Sequence, residues 1–221
     1  MPHRGMKVLL QKCFHRTINL PAKIRLKAKC ELAVSLQVVH KTFQNQLTTM
    51  PHAKINPKVL TELNRQLNQE LSAGHSYRAL SLWCSEQNLI GFASFFAKQS
   101  SEEQEHARKI SDHLINRNTL PELGAIAAPK QTFKSLLEVA QQAQTMEHAN
   151  TQGINAIYEA ALAAKDYPAQ VLMHWFINEQ VEEEAWCLEM VERVQAATCA
   201  GGLSDLDRHI ERYLDGAAEQ E

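Results

Sequence analysis

The sequence predicts an all-α protein: a four-helix bundle with one long crossover connection and a short fifth helix near the C-terminus. Three observations predict it. The 221 residues include only 8 Gly and 7 Pro, and long runs rich in Ala, Leu, Glu, Gln and Lys lack the alternation of strands. Apolar residues recur at three- and four-residue spacing along four separate stretches, the inward stripe of a bundle. The breaks between those stretches are short, long and short, which limits how the helices can pair. Hydrophobic residues make up 44% of the chain, ample for a core at this length.

The helical region follows a segment of different character. Residues 1–50 hold nine of the 23 Lys and Arg but only one, Glu31, of the 25 acidic residues. Their net charge is +8, and the remaining 14 basic and 24 acidic residues give −10. This charge break marks a boundary near Met50. We read 1–50 as a basic N-terminal extension without a fold of its own and 51–221 as the helical domain. Three origins fit the extension: a targeting leader, though one poor in Ser, a flexible basic arm, or translation upstream of a true start at Met50. We favour the last. Mass spectrometry of the native N-terminus tests it, and finding Met1 or Pro2 there excludes it.

Each element has its own signal. Asn56-Pro57 reads as an N-cap followed by proline at the first helical position, opening a helix that runs to about Ser85. Gln87–Ile90 is a turn, and the second helix spans about Gly91–Arg117. The long connection, Asn118–Gln131, contains Pro121, Gly124 and Pro129. A third helix covers about Thr132–Lys165, Asp166–Pro168 restart the chain, and a fourth continues to about Thr198. Gly201-Gly202 are expected to end it, leaving Leu203–Leu214 as the fifth helix. Short turns make two antiparallel hairpins. Fourteen connecting residues, at roughly 3.3 Å each, can travel the length of a helix of roughly 42 Å. Helices two and three can therefore lie parallel.

Five cysteines, Cys13, Cys30, Cys84, Cys187 and Cys199, form no CxxC or other metal-type spacing. They read as reduced thiols in a reducing compartment. No apolar run approaches the roughly 20 residues needed to cross a bilayer. A soluble, cytoplasmic protein is the expectation.

The inward stripes carry the chemistry. Helix one gives Leu60, Leu63, Leu67, Glu70, Gly74, Tyr77, Ser81 and Cys84; helix two gives Phe92, Phe96, Gln99, Glu103, His106, Ile110 and His113. Helix three gives Leu137, Ala140, Gln144, Glu147, Thr151, Ile154 and Tyr158; helix four gives Met173, Phe176, Gln180, Glu183, Cys187, Met190 and Val194. An acid interrupts each stripe near its middle. Residues at i and i+3 share a face, so Glu103 with His106, and Gln180 with Glu183, aim at one point. Interior carboxylates are costly to bury ionised and unpartnered. Protonation is one remedy, but multivalent cations also explain the histidine. Di-metal carboxylate centres in bundles take one Glu from each of two helices and Glu-x-x-His from each of the others. Glu70, Glu147 and Glu103-x-x-His106 follow that layout, whereas the fourth helix offers Gln180-x-x-Glu183. Oxygen-rich ligands with one imidazole suit iron, while zinc more often recruits further His or Cys.

The stretches LNRQLNQELSAGHSYRALSLWC (63–84), SEEQEH (101–106), MEH (146–148) and DYPAQVLMHWFINEQVEEE (166–184) strongly resemble bacterial non-haem ferritins. The resemblance spans about Pro57–Thr198 and implies a ferritin-like fold. It implies that Glu70, Glu103 and His106 bind a first iron, and that Glu103 bridges to a second held by Glu147 and Glu183. Gln180 matches a residue beside the dioxygen site and Tyr77 a tyrosine able to donate an electron. Glu102, Glu179 and Glu182 match a third, weaker iron site. The resemblance further implies ferroxidase chemistry, a 24-subunit shell around a ferric mineral, and a fifth helix lining its four-fold axis. Two positions depart from bacterioferritin. Gln104 stands where that family has its haem methionine, so no haem is expected, and the second Glu-x-x-His is absent, which favours transit of iron over a permanent cofactor.

Other residues take plainer readings. Tyr77 also fits core packing, and Glu102, Glu179 and Glu182 also fit a solvated acidic face. Cys84 and Cys187 read as inert core thiols; Trp83, Trp175 and Trp186 as packing residues; His75, His113, His148, His174 and His209 as structural or exposed. The expected partners are ferrous iron, dioxygen and further copies of the chain, with neither nucleic acid nor membrane among them. Two rival functions remain: another di-iron bundle oxidase or peroxidase, and a non-catalytic helical interaction protein whose acids are merely solvated.

Overall fold

A computed structural model of the protein describes residues 54–215; the basic extension expected over 1–50 lies outside them. Five helices follow one another: α1 Pro57–Glu86, α2 Ile90–Asn116, α3 Leu136–Ala164, α4 Tyr167–Ala196 and α5 Ala200–Asp215. Asn56 caps α1 through its side chain, which accepts from Lys58 N at 3.0 Å, ahead of Pro57. Asp166 does the same for α4, accepting from Ala169 N at 3.2 Å.

Two boundaries differ from the sequence expectation. Helix α3 starts at Leu136 rather than Thr132 because Ser135 is its cap: Ser135 Oγ accepts from Glu138 N at 3.3 Å, while Glu138 Oε2 accepts from Lys134 N at 2.6 Å. Ser-x-x-Glu is a capping signature that outranks Thr132. Gly201 and Gly202 do not terminate α4, which ends at Ala196; they sit in the first turn of α5. Cys199 caps that turn, its Sγ accepting from Gly202 N at 3.4 Å.

Side-chain pairings set the topology. Along α1 and α3, Arg65 meets Gly153, Gln69 meets Asn150 and Tyr77 meets Glu147, so these helices run antiparallel. Helices α1 and α2 are antiparallel as well, since Gly74 meets Ser100 and Ser81 meets Ala93. It follows that α2 and α3 are parallel, joined by the crossover. That crossover is fixed to α1 by Asn64 and Asn68, which bond the backbone of Glu122 and Gly124. Helix α5 packs beside the start of α2, where Phe92 N donates to Asp207 Oδ1 at 3.0 Å.

The bundle interior holds two apolar clusters. One gathers Leu80, Phe92, Phe96, Val139, Trp186 and Met190; the other gathers Leu63, Leu67, Ile110, Ile157, Met173 and Phe176. Between them lies a belt of buried polar side chains drawn from all four long helices. The α3 stripe is rotated from the one predicted. Its buried line passes through Ala143, Asn150 and Ile157, whereas Leu137, Gln144, Thr151 and Tyr158 are only half-buried at its edge.

Candidate metal centre

Glu70, Glu103, Glu147 and Glu183, one from each long helix, are all buried in the belt, and so are His106 and Gln180. Their arrival there follows from helical repeat: each acid continues an apolar stripe, so docking the stripe carries the carboxylate inward.

The first three candidate ligands are already assembled. Among the described residues, Glu70, Glu103 and His106 bring ligand atoms within 4.8 Å of one another. Glu70 Oε1 accepts from Gln66 Nε2 at 2.8 Å, and Glu103 Oε1 accepts from Asn150 Nδ2 at 3.2 Å. The second oxygen of each, Glu70 Oε2 and Glu103 Oε2, is buried without a hydrogen-bond partner. Burial pushes the Glu70 carboxyl up to about 7. Burial, and then the neighbouring Glu70 and Glu147 charges, push Glu103 well above the usual range. His106 is held edge-on between Trp175 and Phe176, with centroids 5.5 and 5.8 Å away. Burial lowers it to about 4, so its imidazole is neutral at pH 7. Its Nδ1 lies 3.4 Å from Glu103 Oε2, but a neutral ring makes no ion pair and keeps a lone pair for a metal.

Glu147 and Glu183 are held differently. Glu147 Oε1 accepts from Tyr77 Oη, and its Oε2 accepts from Asn150 Nδ2 at 3.2 Å and Gln180 Nε2 at 3.3 Å. Gln180 Nε2 also reaches Thr151 Oγ1 at 3.1 Å. Glu183 Oε2 accepts from Trp186 Nε1 at 2.6 Å. Burial raises both carboxyls, and the Glu147 charge adds to the rise at Glu183. Tyr77 is fully buried, and burial with the Glu147 charge lifts its phenol well above 10. It packs against Phe96 at 6.1 Å.

The third group of acids sits at the rim. Glu102 and Glu179 are half-buried and Glu182 is exposed. Gln99 Nε2 donates to Glu102 at 2.5 Å. Burial and then the Glu182 and Glu102 charges raise Glu179, so the three share one electrostatic neighbourhood without converging as the inner group does.

The donor set fits a hard, oxygen-seeking cation. Two buried carboxyl oxygens that take no bond from an N–H or hydroxyl donor, beside a neutral imidazole, form an oxygen-rich set of the kind that suits iron. Sequence reasoning found the acids and the histidine but missed Gln66, Asn150 and Trp186, which anchor them. Gln66 and Asn150 had a legible signal, an amide on the buried face beside an interior acid. Trp186 had none: an indole on that face is indistinguishable from packing. Among the other residues, Cys84, Cys187 and Cys199 are free thiols. Cys84 is pushed up to about 12 by burial, and Cys187 is raised too. His75, His148 and His174 are exposed, and His113 and His209 half-buried.

Comparison with known proteins agrees with this geometry. Residues 60–197 match the ferritin-like domain family. The bacterial non-heme ferritin of Staphylococcus epidermidis is 37% identical over 131 residues, 59% of this chain and 79% of that protein. That of Campylobacter jejuni is 34% identical over 157 residues, 71% of this chain and 94% of the relative. An open pore ferritin from Archaeoglobus fulgidus superposes with a TM-score of 0.69 at 29% identity, covering 71% of this chain and 98% of that one. A buried ring of acids in this topology, a family match over residues 60–197 and relatives matched over 79 to 98% of their own length place the chain in the ferritin family of iron-storage proteins.

Proposed function

We propose that the chain is a ferroxidase subunit, storing iron by oxidising ferrous ions with dioxygen inside the bundle and passing the ferric product to a shell cavity. The observation that carries this reading is the pair of partnerless oxygens, Glu70 Oε2 and Glu103 Oε2, beside the neutral His106. Iron is the substrate here. Glu70, Glu103 and His106 take the first ion, and Glu103 with Glu147 and Glu183 takes the second. Two ferrous ions give one electron each to dioxygen, which takes up two protons and leaves as hydrogen peroxide, and hydrolysis of the two ferric ions releases protons. The chain positions the ions, and their binding displaces the protons that its raised carboxyls carry. Gln180 and Tyr77 stand beside Glu147, and both steer that carboxylate through the hydrogen bonds they donate to it. Glu102, Glu179 and Glu182 hold a third, weaker iron site on the rim. No haem is part of the mechanism.

Assembly belongs to the same reading: a homo-oligomeric shell of 24 copies, about half a megadalton at 25.0 kDa each, with α5 at its four-fold axis, working in the cytoplasm. No helix among the described residues is long and apolar enough to cross a membrane. Size-exclusion chromatography after aerobic ferrous loading, with iron counted per particle, tests it. Many irons per half-megadalton particle are expected. A particle of a few subunits turning over an organic substrate favours a small di-iron oxidase, and absence of bound iron favours an interaction protein. In stopped-flow oxidation, Glu103→Ala is expected to lose the fast phase; an unchanged rate overturns the site.

A further inference from the structure

Trp186 touches a candidate ligand of the second iron, Glu183. Its Nε1–H donates to Glu183 Oε2 at 2.6 Å, and both residues are buried, at 9% and 7% exposure. The indole is fixed from its other side. Phe95 meets it edge to face with centroids 4.9 Å apart, and Tyr77 lies against it at 6.4 Å. Turning the ring would take it out of the apolar cluster it shares with Leu80, Phe92 and Met190. Glu183 Oε1, by contrast, takes no hydrogen bond among the described residues. The same division recurs at two further candidate ligands, Glu70 and Glu103. Gln66 holds one oxygen of Glu70 and Asn150 one oxygen of Glu103, and the other oxygen of each is bare.

We infer that Trp186 is a positioning residue for the second iron, its indole N–H pinning Glu183 Oε2 so that the carboxylate presents Oε1 to the ion in a fixed direction. The inference rests on the reading of Glu183 as a metal ligand. An indole donor has no acceptor function and cannot itself bind the ion, so its influence passes entirely through Glu183. A carboxylate oxygen that already accepts a hydrogen bond is the weaker ligand of the pair, so the ion is drawn toward the other oxygen and its direction is fixed. Losing such an outer partner typically weakens metal affinity about 10- to 100-fold.

The test uses the full-length assembled protein, stripped of metal and titrated with Co²⁺, which binds like ferrous iron without reacting with dioxygen. Calorimetry and visible absorption count the ions. The unaltered protein is expected to take at least two per subunit. Trp186→Phe, which keeps an aromatic ring and removes the donor, should leave the first ion unchanged and weaken the second about 10- to 100-fold. In a Glu183→Gln background the same change should have no further effect, which separates positioning from packing. Unchanged or tighter second-ion binding in Trp186→Phe overturns the inference while leaving the di-iron reading intact. Fewer than two ions in the unaltered protein overturns both. A second measurement uses the difference spectrum between the unaltered protein and Trp186→Phe, which isolates the Trp186 N–H band in ultraviolet resonance Raman; among the described residues Trp186 is the tryptophan whose indole N–H is bonded to a protein group. The band should keep its hydrogen-bonded position on Co²⁺ loading, and a shift to the free position overturns the inference.

Discussion

Four carboxyls buried in one belt are tolerable because each has a partner of a particular kind. Tyr77 supplies one of them. Its hydroxyl donates to Glu147 Oε1 inside a fully enclosed pocket, so Tyr77→Phe leaves that oxygen with no donor. Abandoning a buried acceptor costs about 1–3 kcal/mol, and denaturant unfolding of the metal-free variant is expected to show a loss of that order. No measurable loss would mean that Glu147 relaxes onto Asn150 and Gln180. At this scale the sequence was legible where chemistry broke a pattern. A Glu or His on an apolar stripe is conspicuous because burying it needs a reason. Trp186 was invisible because an indole satisfies the stripe whether or not its N–H has work to do.

Helices are held together here by a few polar ties as well as by packed stripes. Arg117, at the end of α2, reaches Asp166 with Nη1 2.7 and 2.8 Å from its two oxygens, and Asp166 also caps α4. Removing the guanidinium leaves a buried carboxylate at a helix terminus without its counter-charge. Arg117→Ala is therefore expected to destabilise the fold by about 3 kcal/mol, read as a lowered unfolding midpoint. Gly153 is a tighter constraint. A Cβ there would lie 1.8 Å from Gln66 Oε1, and Gln66 orients Glu70. Gly153→Ala should thus displace Gln66 and weaken the first ion in a Co²⁺ titration, while Gly201→Ala, where a Cβ meets nothing within 4 Å, should leave binding unchanged. Equal effects at the two glycines would refute the connection. Helix existence and order were readable from caps and periodicity. The onset of α3 and the rotation of its stripe were not, because several registers bury a comparable number of Ala and Leu side chains, and docking against α1 selects among them.

For the whole molecule, the acid belt makes stability depend on pH in a direction that can be worked out. Glu70, Glu103, Glu147 and Glu183 have raised pKa values in the fold, so the folded chain keeps protons that the unfolded chain releases. Their contribution is fully present below the ordinary Glu value of about 4.3 and is lost as pH climbs through the raised values, with Glu70 near 7. His106 runs the other way. Lowered to about 4, it stays neutral in the fold while the unfolded imidazole takes a proton below about 6.5, so acid weakens the fold through it between those limits. Above about pH 6.5 the carboxyls set the slope, joined toward pH 8 by the buried Cys84 and Cys187 thiols, which stay protonated in the fold. The metal-free protein is expected to melt at progressively lower temperature from about pH 6.5 to 8, and saturating Co²⁺ should flatten the part of that slope below about pH 7.5 by taking the carboxyl protons' place. A melting temperature that rises across this range would contradict the belt's electrostatics.

Taken by itself, the sequence determined the helices, their caps, the crossover and the identity of the interior acids, because hydrogen bonding and helical periodicity are local and repeat within a few residues. Only the tertiary structure decided which oxygens are anchored and which are bare, that Asn150 lies between Glu103 and Glu147, and that Trp186 holds Glu183. Asn150 reaches Glu103 from another helix, while Gln66–Glu70 and Trp186–Glu183 are pairs on one helix whose rotamers the surrounding layers select. They are set by how four stripes interlock at once, and no single stripe contains that information.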